Sequence, residues 1–211
     1  MPEPVKPRRY DSPRRRAQAQ ETRREILDAA ERLFLRDGFA ATTMAAIATE
    51  AGVALKTVYV AFETKSGVLR ALWNLRVRGD QEDVPIADRA WYREVLAEPD
   101  AQRALRLGAH EARRVKERAG GLFGVLRSAA DADPDIAALW ERINSEFHAN
   151  QRAVIEVLGP LRPGLTVDRA ADIMWTLNHP DVWQLLVGRR GWTPDEWEEW
   201  FLTTVSSQLL G

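Results

Sequence analysis

The chain has no cysteine in 211 residues. That excludes disulfides, thiolate metal ligands and thiol nucleophiles, and it suits a reducing compartment. No run of about 18 apolar residues occurs, so no membrane span is expected. The N-terminal stretch MPEPVKPRRYDSPRRRAQAQ carries arginines with no apolar segment behind them. It does not read as a signal peptide, and a cytoplasmic location is expected. Strand-length alternation and internal repeats are missing throughout. So are a glycine-rich phosphate loop and a GxSxG motif. The three histidines stand near carboxylates (His110-Glu111, Glu146 with His148, His179-Asp181), but the spacings match no ligand motif. No metal, no cofactor and no enzyme activity are expected.

What is present is helical. The net charge of −1 hides an asymmetry: 15 Lys/Arg against 9 Asp/Glu up to residue 78, then 15 against 22. A basic first third beside an acidic remainder fits a polyanion meeting only the first part, and it fits equally a solvated basic tail. Residues 1–19 are rich in Pro, Arg and Gln and are expected to be a disordered arm. A helix follows with Ile26, Ala30, Leu33 and Phe34 on one stripe, stopped at Gly38. Thr42 and Thr43 are N-cap candidates for a short second helix ending at Gly52. A third helix spans about Leu55–Phe62, and Thr64 caps a fourth that runs to about Gly79. DQEDVP then reads as a linker. Further caps stand at Asp100, Asp133-Pro134 and Thr166. Pro180 kinks or stops a helix, and Thr193-Pro194-Asp195-Glu196 forms a capping box. The fold expected is all-α: a helix-turn-helix head over residues 20–80 and a larger helical body over 81–211.

Two short helices joined at Gly52 match a helix-turn-helix unit, whose second helix can lie in the DNA major groove. At 100° per residue, Leu55, Val58 and Phe62 of GVALKTVYVAF fall together as core, with Tyr59 at the edge. Lys56, Thr57, Val60 and Ala61 face the other way. Lysine donates to guanine or phosphate, threonine to phosphate, and valine touches a thymine methyl. The same pattern also suits a plain antiparallel helix pair on a core.

Residues 21–72 resemble the DNA-binding domain of the TetR (tetracycline-repressor) family of transcriptional regulators. The segments that carry the resemblance are LFLRDGF, ATTMAAIATEAGV, KTVYVAF and TKSGVL, in fixed register. The resemblance implies a homodimer that binds double-stranded, palindromic operator DNA and answers to a small-molecule effector held in the body, with repression as the usual outcome. It implies phosphate contacts from Thr42 or Thr43, groove contacts from Lys56, Thr57 and Val60, a phosphate contact from the Tyr59 hydroxyl, and a backbone grip by Lys65. The sequence departs from the family at three places. Ala54 stands where a serine cap is frequent, and Val60 and Ala61 stand where polar residues are common. A reading helix with so few polar groups is expected to lean on phosphates, methyl contacts and DNA shape. Arg8, Arg9, Arg14, Arg15 and Arg16 either enter a minor groove or form a solubilising tail.

In the body, seven of eight tryptophans lie beyond residue 90. His110, Phe123, Trp140, Phe147, His148, Trp175 and Asn178 are expected to line an effector pocket on the central helices. The segments DVWQLLVGRR and EWEEWFLTTVSSQLL resemble the family's terminal dimer helices, with packing inside one chain as the alternative. A helical interaction module without DNA binding, or an activator of the same fold, is the competing reading.

Overall fold

The computed structural model describes residues 13–78 and 86–210. Helix α1 spans Pro13–Ala41, with a non-helical Gly38 inside it (φ 81, ψ 165). Then come α2 (Met44–Glu50), α3 (Leu55–Phe62) and α4 (Lys65–Arg78). The body follows with a 3-10 turn at Ile86–Asp88, α5 (Ala90–Ala97), α6 (Ala101–Ala130), α7 (Pro134–Val157) and α8 (Val167–Leu177). It ends with α9 (Pro180–Trp183), a π-helical turn (Gln184–Arg189) and α10 (Pro194–Leu209). Among the described residues there is no β-strand; an antiparallel bridge pairs Leu161 with Leu210. No single helix among them is long and apolar enough to cross a membrane.

The expected caps form. Thr43 accepts from the N–H of Ala46, Asp100 from Arg103, Asp133 from Asp135 and Ile136, and Thr166 from Arg169. Thr193 and Glu196 close the reciprocal capping box. One boundary moves. Residues 13–19, expected in the arm, lie on α1. Proline at the first helical position has φ preset, and the Arg, Ala and Gln that follow are good helix formers, so the helix extends back from its apolar stripe. Arg14, Arg15 and Arg16 therefore ride on the first turns of α1. Arg8 and Arg9, with the rest of the arm, lie outside the described residues, as do Gly79 and the linker at 80–85.

Two cores organise the chain. One joins the head to the body: Ile26, Phe34, Ile47, Val58, Leu69 and Leu72 pack with Leu122, Leu126 and Ile136 of α6 and α7. The other lies wholly in the body, where Leu105, Ile155, Ala171, Trp197, Phe201 and Val205 interlock. Trp197 stacks on Phe201 at 5.1 Å and meets Trp183 edge-on at 5.1 Å. For this stripe of the last helix, the alternative of packing inside one chain holds. Trp197, Phe201, Val205 and Leu209 are buried against their own chain, because they face α6 and α8. Trp200 is half-buried and packs edge-on against Trp192.

Candidate nucleic-acid interface and ligand cavity

Helix α3 keeps its expected bounds. Val58 and Phe62 are buried, while Lys56, Tyr59 and Val60 are exposed, Val60 at 76%. Thr57 and Ala61 are only half-exposed. Leu55 corrects the helical-wheel reading. It is 41% exposed rather than core, because it occupies the first position of the helix and projects from the turn. The outward face therefore runs Leu55, Lys56, Tyr59, Val60. Among the described residues, three of the six exposed large hydrophobics stand on this eight-residue helix, a concentration that marks a contact surface. The lysine gives it one positive charge. Ala54 offers no side-chain cap, so the first N–H groups of α3 are left for an outside acceptor.

Two threonines ahead of α2 have different fates. Thr43 is exposed, and its hydroxyl caps α2. Thr42, expected as a phosphate contact, is 1% exposed, and its hydroxyl donates to the Gly38 carbonyl at 2.8 Å. It closes the break in α1 instead.

Lys65 is also reassigned. Its ammonium donates to the carbonyls of Phe39 at 2.6 Å and Thr42 at 2.8 Å, and it lies over the Phe39 ring at 4.2 Å. A backbone grip on DNA gives way to a cap on the carbonyl end of α1. Burial lowers its pKa, and Asp133 partly offsets this. The same device recurs twice. Arg23 of α1 donates to the Ala61 carbonyl at the end of α3 at 2.6 Å and lies over Phe62 at 4.0 Å. Arg118 of α6 donates to the carbonyl of Arg76 at 3.2 Å, near the end of α4. Each cation meets the partial negative charge of a helix C-terminus, so the orientations of α1, α3 and α4 are fixed together. Arg76 adds ion pairs to Asp28, at 2.7 Å, and to Glu31. Replacing Lys65 with methionine keeps the stem but strands two half-buried carbonyls. A loss of about 2 kcal/mol is expected in chemical denaturation, with weaker DNA binding as α2 loosens.

Between the two cores lies a cavity of about 450 Å³, within the range of small-molecule sites. Helix α4 contributes Trp73, Asn74 and Val77 to its wall, so the head is part of the cavity. Of the residues expected there, Phe123, Phe147 and Asn178 line it. The other four do not. His110 is mostly exposed, with Glu198 at 3.6 Å. Trp140 packs on Phe123 in the head-proximal core. His148 faces Asp172 at 3.1 Å on the outside, and Trp175 stands edge-on between His148 and His179. Helical spacing placed these four on the central helices but not on the inward face.

Sequence reasoning missed Lys116. It is 5% exposed, lines the cavity and donates to the Asn178 carboxamide oxygen. Its ammonium lies over the Trp197 ring at 4.6 Å, and Asn178 donates on to Gln151 at 3.2 Å. Burial pushes the Lys116 pKa down to about 7. Burial also lowers the pKa of His179, with Asp181 opposing and Lys116 reinforcing. Its Nδ1 accepts the Asp181 N–H at 3.2 Å and caps α9. Tyr92, buried on the wall, donates to the Asn150 carbonyl at 2.7 Å, and burial raises its pKa to about 12.

Comparison with known proteins falls in line with this layout. Residues 26–72 match the family model described as bacterial regulatory proteins, tetR family. The HTH-type transcriptional regulator TtgR of Pseudomonas putida is 46% identical over 59 residues, 28% of each chain, so the aligned stretch spans just over a quarter of that relative. Over the full fold, the crystal structure of NalD, the secondary repressor of the MexAB-OprM multidrug efflux pump in Pseudomonas aeruginosa, superposes with a TM-score of 0.69 and 23% identity. It covers 92% of this chain and 98% of its own. The transcriptional regulator FadR of Bacillus subtilis, in complex with stearoyl-CoA, gives 0.68 and 17%, covering 88% and 98%. The head is thus similar to the tetR family of bacterial regulatory proteins over residues 26–72, and the chain as a whole shares its fold with NalD.

Proposed function

We propose that the protein is a sequence-specific DNA-binding transcriptional regulator, acting as a homodimer and released from its operator by a small molecule in the body cavity. The observation that carries this reading is the outward face of α3, Leu55, Lys56, Tyr59 and Val60, on a head matched by the family model. The face suits close approach to a groove. Leu55 and Val60 meet thymine methyls, the Tyr59 hydroxyl and Lys56 meet phosphates or guanine, and the open N–H groups of α3 take a phosphate. Thr43 and Thr57 sit beside it as further phosphate contacts. A two-fold dimer matches a palindromic site.

The cavity supports regulation because α4 is shared. Trp73, Asn74 and Val77 face the cavity, and the same helix begins at Lys65, which caps α1, and Ser66, which donates to Asp133 at the start of α7. An occupant that prefers a shifted α4 therefore biases the heads toward a spacing that no longer fits the operator. FadR in its stearoyl-CoA complex has the same fold, and a bound small molecule is consistent with this arrangement.

The test is selection of genomic fragments by the purified protein, followed by gel shift. Lys56→Ala is expected to weaken binding and to flatten the log–log salt slope by about 0.9, the share of one phosphate contact. Unchanged affinity and slope would remove Lys56 from the interface. Failure to enrich any fragment would favour the non-DNA interaction module.

A further inference from the structure

We propose that the cavity selects an amphipathic monoanion: an aryl or alkyl carboxylate whose head group pairs with Lys116 and whose apolar tail fills the space toward α4. This rests on the reading of the cavity as the effector site.

The cavity wall carries an imbalance of charge. Lys116 is buried in the wall, and among the described residues no carboxylate pairs with it. Its partners are a neutral carboxamide oxygen and the face of Trp197. An ammonium has three donors and no acceptor, so these neighbours leave its charge uncompensated. A buried charge without a counter-ion is costly, and removing water from around a charge pair strengthens the hydrogen bonds it makes. A ligand carboxylate supplies the missing counter-ion. Asn178 is held by its bond to Gln151, so the polar end of the site is ordered before a ligand arrives.

The rest of the wall defines the tail. Trp73, Trp91, Val95, Phe123, Ile143 and Met174 present apolar surface. They reward an alkyl or aryl group and offer nothing to a second charge. The other ions of the lining are Arg142 and Glu146, which pair with each other at 3.8 Å while mostly exposed. With one buried cation and no second to join it, a dianionic phosphate is undersupplied with donors. A cationic ligand meets Lys116 with like charge, and a neutral one leaves the ammonium as it was.

The test is calorimetric titration of the full-length protein. The probes are straight-chain and phenyl-terminated carboxylic acids of roughly six to twelve carbons, a span set by the cavity size, each beside its own primary amide and primary amine. At least one acid is expected to bind about tenfold tighter than its amide, with the amine weakest. In Lys116→Met that advantage disappears while amide affinity stays, and Lys116→Arg keeps part of it. Thermal unfolding of both variants verifies that they are folded. Amides or amines binding as tightly as the acids, acid preference surviving in Lys116→Met, or no acid binding at all would each overturn the proposal. DNA release is measured separately. An acid that binds through Lys116 yet leaves DNA affinity unchanged contradicts the effector reading and not the ligand class.

Discussion

Gly67→Ala is expected to cost on the order of 3 kcal/mol and to displace the reading helix, a large effect for one methyl group. A Cβ at residue 67 would stand 2.3 Å from the Phe62 carbonyl oxygen. That oxygen is backbone, so no rotamer change relieves the clash. It is also held from the other side. The Thr64 N–H donates to it at 2.6 Å, which bends the chain at Glu63 into a positive φ of 62°, a strained turn for a residue with a side chain. Glycine at 67 is thus what lets the start of α4 press against the end of α3. With alanine, α3 must shift, and DNA affinity falls with stability. Gly124→Ala is the matched control. It also lies inside a helix, but its Cβ meets nothing within 4 Å, so it is expected to stabilise by about 0.5–1 kcal/mol through helix propensity alone. Urea denaturation of the two variants, followed by circular dichroism, checks both signs. Equal effects would show that the α3–α4 approach is not tight.

Lys116→Met is expected to make the empty protein more stable, and to do so in a pH-dependent way. The folded-state pKa is lowered to about 7 from the ordinary 10.5. Between those values the unfolded chain holds a proton that the folded chain has released, so wild-type stability rises with pH through the window and is lowest below it. The methionine variant lacks this group. Its advantage should be a few kcal/mol below pH 7, where the native lysine is charged without a counter-ion, and should close by about pH 10.5. His179, whose own pKa is lowered in part by Lys116, titrates below this window. Glu146 and Arg142 pair with each other at the cavity edge, away from Lys116. Unfolding midpoints measured from pH 6 to 10 give the difference directly. A constant offset would mean that Lys116 stays charged throughout.

The sequence foretold the role of neither residue. Local signals were readable: the bounds of α3, the break at Gly38, and the caps at Asp133, Thr166 and Thr193 follow from residues within a few positions of each other. The family resemblance located the head by the same short-range register. Roles that depend on distant partners were not readable. The family resemblance implies a DNA contact for Lys65, a basic residue near the reading helix. Only folding brings the carbonyls of Phe39 and Thr42, more than twenty residues away, around its ammonium. Leu55 falls inward on a regular helical wheel, although the first residue of a short helix points where the turn directs it. Lys116 hides in the polar run EARRVKER, where nothing local separates a cavity lysine from its exposed neighbours. Asn178, Phe123 and Phe147 were found by helical spacing and aromatic company, and the same signals misled at His110 and Trp140.

The central claim is that the outward face of α3 reads DNA while the cavity sets its hold. One measurement addresses it most directly: fluorescence anisotropy of a genomic fragment selected by the protein, titrated with wild type and with a Lys56→Ala/Tyr59→Phe double variant, with and without an acid that binds the cavity. The account predicts tight, salt-sensitive binding by wild type, a loss of at least about tenfold in the double variant, and release of wild type by the acid. Equal binding by both proteins, or binding that no cavity ligand alters, would contradict it.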